Sequence, residues 1–161
     1  FYKKNLNMKK IVLTLLVATT MIGCAKWENK STEFKVTGLW TGVNQQINIQ
    51  ALPLLDSTIL EPTTDMTANF MDNGGLIIDS AGTQIDSLGW AIMNDTILSL
   101  EGIDIGLDIL GGAVPSNLNF VIKTLEQESF IFRYDTTLTQ TIPGVPFPLD
   151  FDLAQIQRWA K

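Results

Sequence analysis

Apolar and polar side chains alternate along most of this 161-residue chain, and turn residues interrupt the alternation at short intervals. Alternation of period two is typical of β-strands with one buried face. It predicts a long first strand on which Leu39, Val43, Ile47 and Ile49 share one face. It also predicts three pairs of shorter strands, at 66–70 with 76–80, 89–93 with 96–100, and 119–125 with 129–135.

Polar turns separate the two strands of each pair, at 72–75, 94–95 and 126–128. Asn and Gly tolerate the positive φ of tight turns, so Asn73-Gly74 is a strong hairpin signal. Three successive hairpins describe an antiparallel meander, which favours a barrel or a sandwich. The predicted fold class is all-β, an up-and-down antiparallel β-barrel, because sequential hairpins close it without long crossovers.

Three other segments are harder to place. Ala51–Asp65 is too apolar for a plain surface loop, and Ile103–Gly112 predicts a strand, with a short helix over 107–110 as the alternative. The prolines at 143, 146 and 148 exclude a central strand there. After them Asp150 is a candidate N-cap, and apolar residues at helical spacing predict a short C-terminal helix over Phe151–Ala160.

The N-terminus has the pattern of a secretory signal. Two lysines precede the apolar run Ile11–Val17, and small and apolar residues lead to the single cysteine, Cys24. This pattern predicts a signal peptide over 1–23, with Phe1–Asn7 upstream of the true start at Met8. Cys24 then becomes the first mature residue and is predicted to carry a diacylglycerol thioether, which anchors the protein to the membrane.

The same residues have two alternative interpretations, a membrane span and an ordinary cleaved signal. A membrane span needs about 20 apolar residues, and charged residues follow the run too soon for that. An ordinary cleaved signal with an incidental cysteine is the other alternative, since Met21 stands where most lipoproteins have Leu. Residues 24–33 are polar and are predicted to form the lipidated tether, and 34–161 the barrel domain.

Charge and composition exclude several functions. Removing residues 1–23 removes four lysines and leaves 7 basic against 17 acidic residues, a net charge of −10. That balance argues against nucleic acid as a partner. The chain has no histidine, which excludes Ser-His-Asp and Cys-His catalysis and histidine-based metal sites.

No cofactor, metal site or catalytic set is predicted. The acidic pairs Asp104/Asp108 and Asp150/Asp152 do not offer the several oxygens around a tight glycine turn that calcium needs. The protein is therefore not expected to be an enzyme.

Gly38-Leu39-Trp40 stands at the head of the predicted first strand, and the three hairpins follow it. In these features, over about residues 35–135, the chain resembles the small lipocalin-like lipoproteins of Gram-negative bacteria, whose Gly-x-Trp signature heads the first strand. The chain lacks a disulfide and a clear Thr-Asp-Tyr motif. The resemblance implies that Trp40 plugs the closed end of the barrel and that Arg133 packs over its ring.

A barrel of about eight strands can be filled by side chains or can hold one small ligand. The candidate pocket residues are Phe70, Trp90, Ile92, Phe130, Phe132 and Tyr134, and the alternative is that they are ordinary core. The apolar segment after the first strand is either a lid over a ligand or a plug that completes the core.

Two functions follow from this interpretation. The first is a lipid-anchored protein of the cell envelope, on the outer membrane, whose barrel binds a small apolar molecule or serves as an accessory scaffold. The second is a protein-interaction lipoprotein with a filled barrel that contacts an envelope protein. An interior cavity favours the first, and a filled barrel with an exposed apolar patch favours the second.

Overall fold

The computed structural model describes residues 27–51, 54–102, 117–141 and 146–161. The elements are α1 (Thr32–Val36), β1 (Gly38–Ala51), β2 (Leu55–Pro62), β3 (Met66–Phe70), β4 (Gly75–Ser80), β5 (Thr83–Met93), β6 (Ile97–Glu101), β7 (Asn117–Leu125), β8 (Ser129–Gln140) and β9 (Leu149–Ala160). Within these ranges, no helix is long and apolar enough to cross a membrane. The predicted signal peptide with Cys24 and the element predicted at 103–112 lie outside the described residues.

Eight of the described strands close into an antiparallel barrel. The first four residues of β1 pair with β3, each later strand pairs with the next, and β9 pairs back onto β1 over residues 41–50. This sequential pairing is that of an up-and-down barrel, in which closure removes the open sheet edges. The predicted all-β, up-and-down antiparallel barrel is confirmed.

The three predicted hairpins are also confirmed, as β3–β4, β5–β6 and β7–β8. The backbone at the first two turns enters the left-handed region, with φ of 82° at Gly74, 52° at Asn94 and 59° at Asp95. Glycine, asparagine and aspartate adopt this region more readily than other residues. The Asn73 side chain also accepts a hydrogen bond from the Gly75 N–H at 3.0 Å, which stabilises the first turn.

Interlocked aromatic rings close one end of the barrel. The ring centroid of Trp40 lies 5.3 Å from that of Phe130, which in turn lies 5.9 Å from Phe70 and 4.9 Å from Phe132. Aromatic pairs at such distances contribute about 0.5–1.5 kcal/mol beyond their area burial. This end is therefore packed solid. The other fully buried side chains of the described residues are Val36, Leu76, Leu98, Leu118 and Phe120.

A β-bulge in β1 exchanges the inner and outer faces of that strand. Gly42 is opposite Trp159 of β9, but Asn44 is opposite Arg158, so Val43 is an extra residue. One extra residue reverses the alternation of side chains beyond it. The prediction that Leu39 and Val43 share a face with Ile47 and Ile49 is therefore wrong, and Leu39 and Val43 are exposed.

The predicted C-terminal helix over 151–160 is wrong, because this segment is strand β9. It pairs with β8 on one side, from Gln140 opposite Leu149 to Ser129 opposite Ala160, and with β1 on the other. An unpaired edge on either neighbour would leave a row of backbone groups without partners. When β9 pairs with both neighbours, the backbone groups on the facing edges of β8 and β1 are hydrogen-bonded. This stabilisation of the strand outweighs the weak helical spacing of three apolar residues.

The apolar segment after the first strand is not a plug. Its described part from residue 55 onward is β2, which pairs with β1 from Ala51 opposite Leu55 to Asn44 opposite Pro62. The side chains of Leu54 and Leu60 are 67% and 63% exposed. The segment therefore adds a ninth strand to the sheet instead of filling the barrel, and it is not a loop over the mouth.

Four strands continue beyond the barrel wall at the end away from Trp40. The pairing of β7 with β8 stops at Arg133, whereas β8 continues beside β9 to Gln140. With β1 and β2 these strands form a sheet in the order β2–β1–β9–β8. We call this sheet the four-stranded extension; it comprises residues 46–51, 55–60, 134–140 and 149–155, and it borders the open end of the barrel.

Candidate ligand-binding cavity

A cavity of about 520 Å³ lies above the aromatic core, between the barrel walls and the four-stranded extension. Ligand pockets in proteins typically measure about 300–1,000 Å³. The barrel is thus filled at its closed end and hollow toward its open end. Two of the side chains that border the cavity, Ile85 and Asp86, belong to the β4–β5 hairpin, and Ile85 is 57% exposed.

Strands β3 to β7 supply an apolar wall to this cavity. Because these strands alternate, every second side chain points inward, and the short turns hold the strands in register. The inward residues that line the cavity are Met66, Ala68, Phe70, Leu76, Ile78, Leu100 and Phe120.

The opposite wall, formed by β1, β8 and β9, mixes apolar and polar side chains. The register of the three strands arranges the inward residues in layers, since residues directly opposite each other lie side by side. From the closed end outward, these layers are Phe132 with Gln157 and Gln45, Tyr134 with Gln155 and Ile47, and Thr136 with Leu153 and Ile49.

Three of the six predicted pocket residues line this cavity: Phe70, Phe132 and Tyr134. The other three are placed in the packed core. Phe130 is fully buried between Trp40 and Phe70, and Ile92 packs against the buried cluster. Trp90 meets Phe70 edge-on at 5.4 Å, and its indole N–H donates to the Met71 carbonyl at 3.0 Å.

The cavity is also lined by residues that the sequence pattern does not place in a pocket: Gln45, Ile47, Ile49, Gln155, Gln157 and Trp159. Ile47 and Ile49 belong to the predicted apolar face of the first strand, and Gln45 is a polar residue beside it. Gln155, Gln157 and Trp159 lie in the segment predicted as a helix. The alternation of Leu153, Gln155, Gln157 and Trp159 is a period-two signal that could have identified an inward face, although a weak one.

Trp159 forms part of the cavity wall next to the packed core and is 6% exposed. Its indole N–H is buried, and no hydrogen-bond partner for it lies in the described part of the chain. A buried donor without a partner costs about 1–3 kcal/mol. Trp159 therefore contributes the apolar part of its indole to the cavity wall, and its N–H is enclosed by the packed core.

Trp40 is held at the closed end by α1. Its indole N–H donates to the Val36 carbonyl at 2.6 Å, and Val36, the last residue of the helix, is fully buried. The helix therefore covers the base of the barrel, and the hydrogen bond satisfies the only polar atom of a fully buried indole.

The cation over the Trp40 ring is Lys161 and not Arg133. The Lys161 Nζ lies 4.4 Å from the ring centroid, within the range of a cation–π contact. Burial lowers the pKa of Lys161 below its ordinary value. The guanidinium of Arg133 is on the outer face, where it pairs with Asp135 at 2.6 Å, and that hydrogen bond raises the pKa of Arg133. The expectation for Arg133 is wrong, because β8 turns this residue outward.

A second, larger depression of about 720 Å³ lies on the outer face of the four-stranded extension. Its lining is mostly polar, and many of these side chains bond to one another. Examples are Thr137 to Asp152 at 2.6 Å and Thr58 to Asn48 at 3.1 Å. Because its polar groups are already paired and face solvent, we assign the ligand site to the smaller inner cavity, which is more apolar.

Of three comparisons with known proteins, the one with solved structures finds a similar protein. No protein-family model matches the chain, and no curated protein matches it. Among solved structures, the chain is similar to the crystal structure of a lipocalin-like protein from Bacteroides uniformis ATCC 8492. The identity is 12%, the match covers 79% of this chain and 98% of the other, and the TM-score is 0.44.

Proposed function

We propose that this protein is a lipid-anchored, lipocalin-like protein of the cell envelope that binds a small apolar molecule in the cavity of its barrel. The observation that supports this function is the cavity of about 520 Å³ with an apolar wall from β3 to β7. Transfer of apolar surface from water to such a wall contributes about 25 cal/mol per Å². The proposal includes binding and no reaction.

The anchor and the location rest on the signal sequence. The lysines, the apolar run and Gly23-Cys24 support export and lipidation at Cys24. We propose that the lipid holds the barrel at the outer membrane, on its periplasmic face or at the cell surface. Acidic residues are repelled by anionic lipid surfaces. The net negative charge of the mature chain therefore supports attachment through the covalent lipid and not through surface charge.

Binding is tested with Nile red, an uncharged apolar dye, and the variant Ile47→Asp. Ile47 lines the cavity, and a carboxylate there would stand unpaired in an apolar site. We expect saturable fluorescence enhancement with the mature wild-type protein and affinity at least about tenfold weaker with Ile47→Asp, a difference of about 1.4 kcal/mol.

Ile59→Asp is the matched control for this variant. Ile59 of β2 is directly opposite Ile47, is 41% exposed and does not line the cavity. We expect wild-type binding of Nile red by this control, with both variants folded by circular dichroism. If the wild-type protein does not bind the dye, or if both variants bind it as the wild type does, the proposed site is wrong.

The anchor is tested with Cys24→Ser. The thioether forms on the cysteine sulfur, so this variant should incorporate no labelled fatty acid and should move from the membrane fraction to the soluble fraction. Ala25→Ser is the control, because it introduces the same side chain one residue later and keeps the sulfur. A Cys24→Ser protein that remains labelled and membrane-bound would refute lipidation at this position.

A second candidate function is an interaction with an envelope protein through β2. Leu55, Ile59 and Leu60 on this strand and Leu54 just before it are all exposed, and exposed apolar residues in one region often mark contact surfaces. Under this alternative, Ile59→Asp would abolish binding of the envelope protein in the cell, whereas Ile47→Asp would not.

A further inference from the structure

The cavity carries hydrogen-bonding amides on one wall and apolar side chains on the other. Gln45, Gln155 and Gln157 line the wall formed by β1 and β9, opposite the apolar side chains of β3 to β7. All three glutamines are partly buried. A molecule in the cavity therefore meets amide groups on one side and hydrocarbon on the other.

Much of the hydrogen-bonding capacity of these amides is unused. Gln157 Nε2 donates to Gln45 Oε1 at 2.6 Å. Each amide has two N–H donors and an acceptor oxygen, so this bond leaves the NH₂ group of Gln45 and the oxygen of Gln157. In the part of the chain that the structure describes, the Gln155 side chain has no hydrogen-bond partner.

A buried indole N–H lies on the same wall. Trp159 follows Gln157 on the inward face of β9, and its N–H is buried with no partner in the described ranges. This nitrogen has almost no accessible surface, so a molecule in the cavity does not reach it. The amides of Gln45, Gln155 and Gln157 are the groups of this wall that offer hydrogen bonds to a ligand.

The charge of the lining sets a limit on the ligand. Among the described residues that line the cavity, none is a lysine or an arginine, and the one carboxylate is that of Asp86. A carboxylate in this cavity would lose its hydration without gaining a cation, which is strongly unfavourable. An uncharged polar group would lose less hydration free energy and would form hydrogen bonds with the amides of the glutamines.

We propose that the cavity selects uncharged amphiphiles, which place a hydroxyl, carbonyl or amide group against Gln45, Gln155 and Gln157 and an apolar body against β3 to β7. Carboxylates with the same apolar body are rejected. The inference names the ligand class for the proposed function and rests on it.

The test compares decan-1-ol with decanoate as competitors of Nile red on the mature protein. At about pH 8 the acid is ionised, because carboxyl groups of this kind titrate near pH 4–5. We expect decan-1-ol to displace the dye at a concentration at least about tenfold lower than decanoate does, a difference of about 1.4 kcal/mol. Equal or stronger competition by decanoate, or no competition by either compound, overturns the inference while leaving dye binding in place. Failure of the dye itself to bind rejects the proposed function instead.

The variant Gln155→Arg should reverse this preference by adding a cation to the cavity wall. We expect decanoate to bind at least about tenfold more tightly than to the wild type, as charge-assisted hydrogen bonds are stronger than neutral ones. Gln46→Arg is the matched control, since Gln46 is one residue from Gln45 but lines the outer depression. No gain for decanoate with Gln155→Arg, or an equal gain with Gln46→Arg, contradicts the proposal.

Gln155→Leu provides a second variant if the arginine prevents folding. It removes the amide and keeps an apolar side chain of similar length, so Nile red binding should persist. Decan-1-ol should bind about 2–10-fold more weakly, the range expected for one lost hydrogen bond. Unchanged decan-1-ol affinity would refute a role for Gln155.

Discussion

Replacing Trp40 with alanine is expected to lower the free energy of unfolding by about 3–5 kcal/mol, the usual loss for a fully buried aromatic side chain. Trp40 is 0% exposed, contacts Phe130 and donates to the Val36 carbonyl. Truncation would open a cavity at the closed end, remove the cation–π contact with Lys161 and leave the Val36 carbonyl without its donor. Urea unfolding followed by circular dichroism measures the change.

The control is the same substitution at Trp27. This residue is partly exposed and lies outside the compact unit of residues 32–161, so its replacement should shift the urea midpoint much less. Equal midpoints for Trp40→Ala and Trp27→Ala would mean that the closed end contributes little to stability. The role that the resemblance implies for Trp40, as the plug of the closed end, would then be wrong.

Gly42→Ala should destabilise the barrel by about 3 kcal/mol, at the upper end of the usual cost of overpacking. A Cβ at this position would overlap the Thr63 carbonyl oxygen and would lie 2.7 Å from the Thr63 Oγ1. The first of these atoms is backbone and cannot rotate away. The clash would therefore separate β1 from the connection between β2 and β3, at the site of the bulge.

Gly89→Ala is the matched control for this substitution. The nearest atoms to a Cβ at Gly89 belong to the Glu101 side chain, the closest at 3.3 Å, and a flexible side chain can move. We expect a nearly unchanged thermal midpoint for Gly89→Ala and a clear drop for Gly42→Ala. A Gly42→Ala protein as stable as the control would show that the bulge relaxes without cost.

The barrel could be predicted from the sequence because its hairpins are local. The turn at Asn73-Gly74 and the alternation on either side of it involve residues close together in the chain, and such signals specify a strand pair without knowledge of the rest. The C-terminal strand could not be predicted in this way. β9 is extended because β8 and β1 both need a partner, and β1 begins more than a hundred residues earlier.

The cavity was predictable only in part for the same reason. Phe70, Phe132 and Tyr134 lie in strands with clear alternation, and all three line it. The amide wall depends on two features without a local signal: the bulge at Val43, which turns Gln45 inward, and the strand conformation of β9, which places Gln155 and Gln157 beside it. Side-chain direction in a strand is a matter of parity, so one unseen extra residue changes every later assignment.

The bulge in β1 also has an evolutionary consequence. Since Val43 is the extra residue, its deletion would restore simple alternation and leave Gln45, Ile47 and Ile49 facing the cavity, because Gly42 and Gln45 already face inward on either side of the bulge. Loss of this single codon would remove the bulge without changing the polarity of the wall, whereas a straightened β1 that kept Val43 would turn Asn44, Gln46 and Asn48 inward. Among relatives of this barrel, a one-residue difference in the spacing between the Gly-x-Trp residues and the next apolar pair is therefore compatible with the same cavity lining.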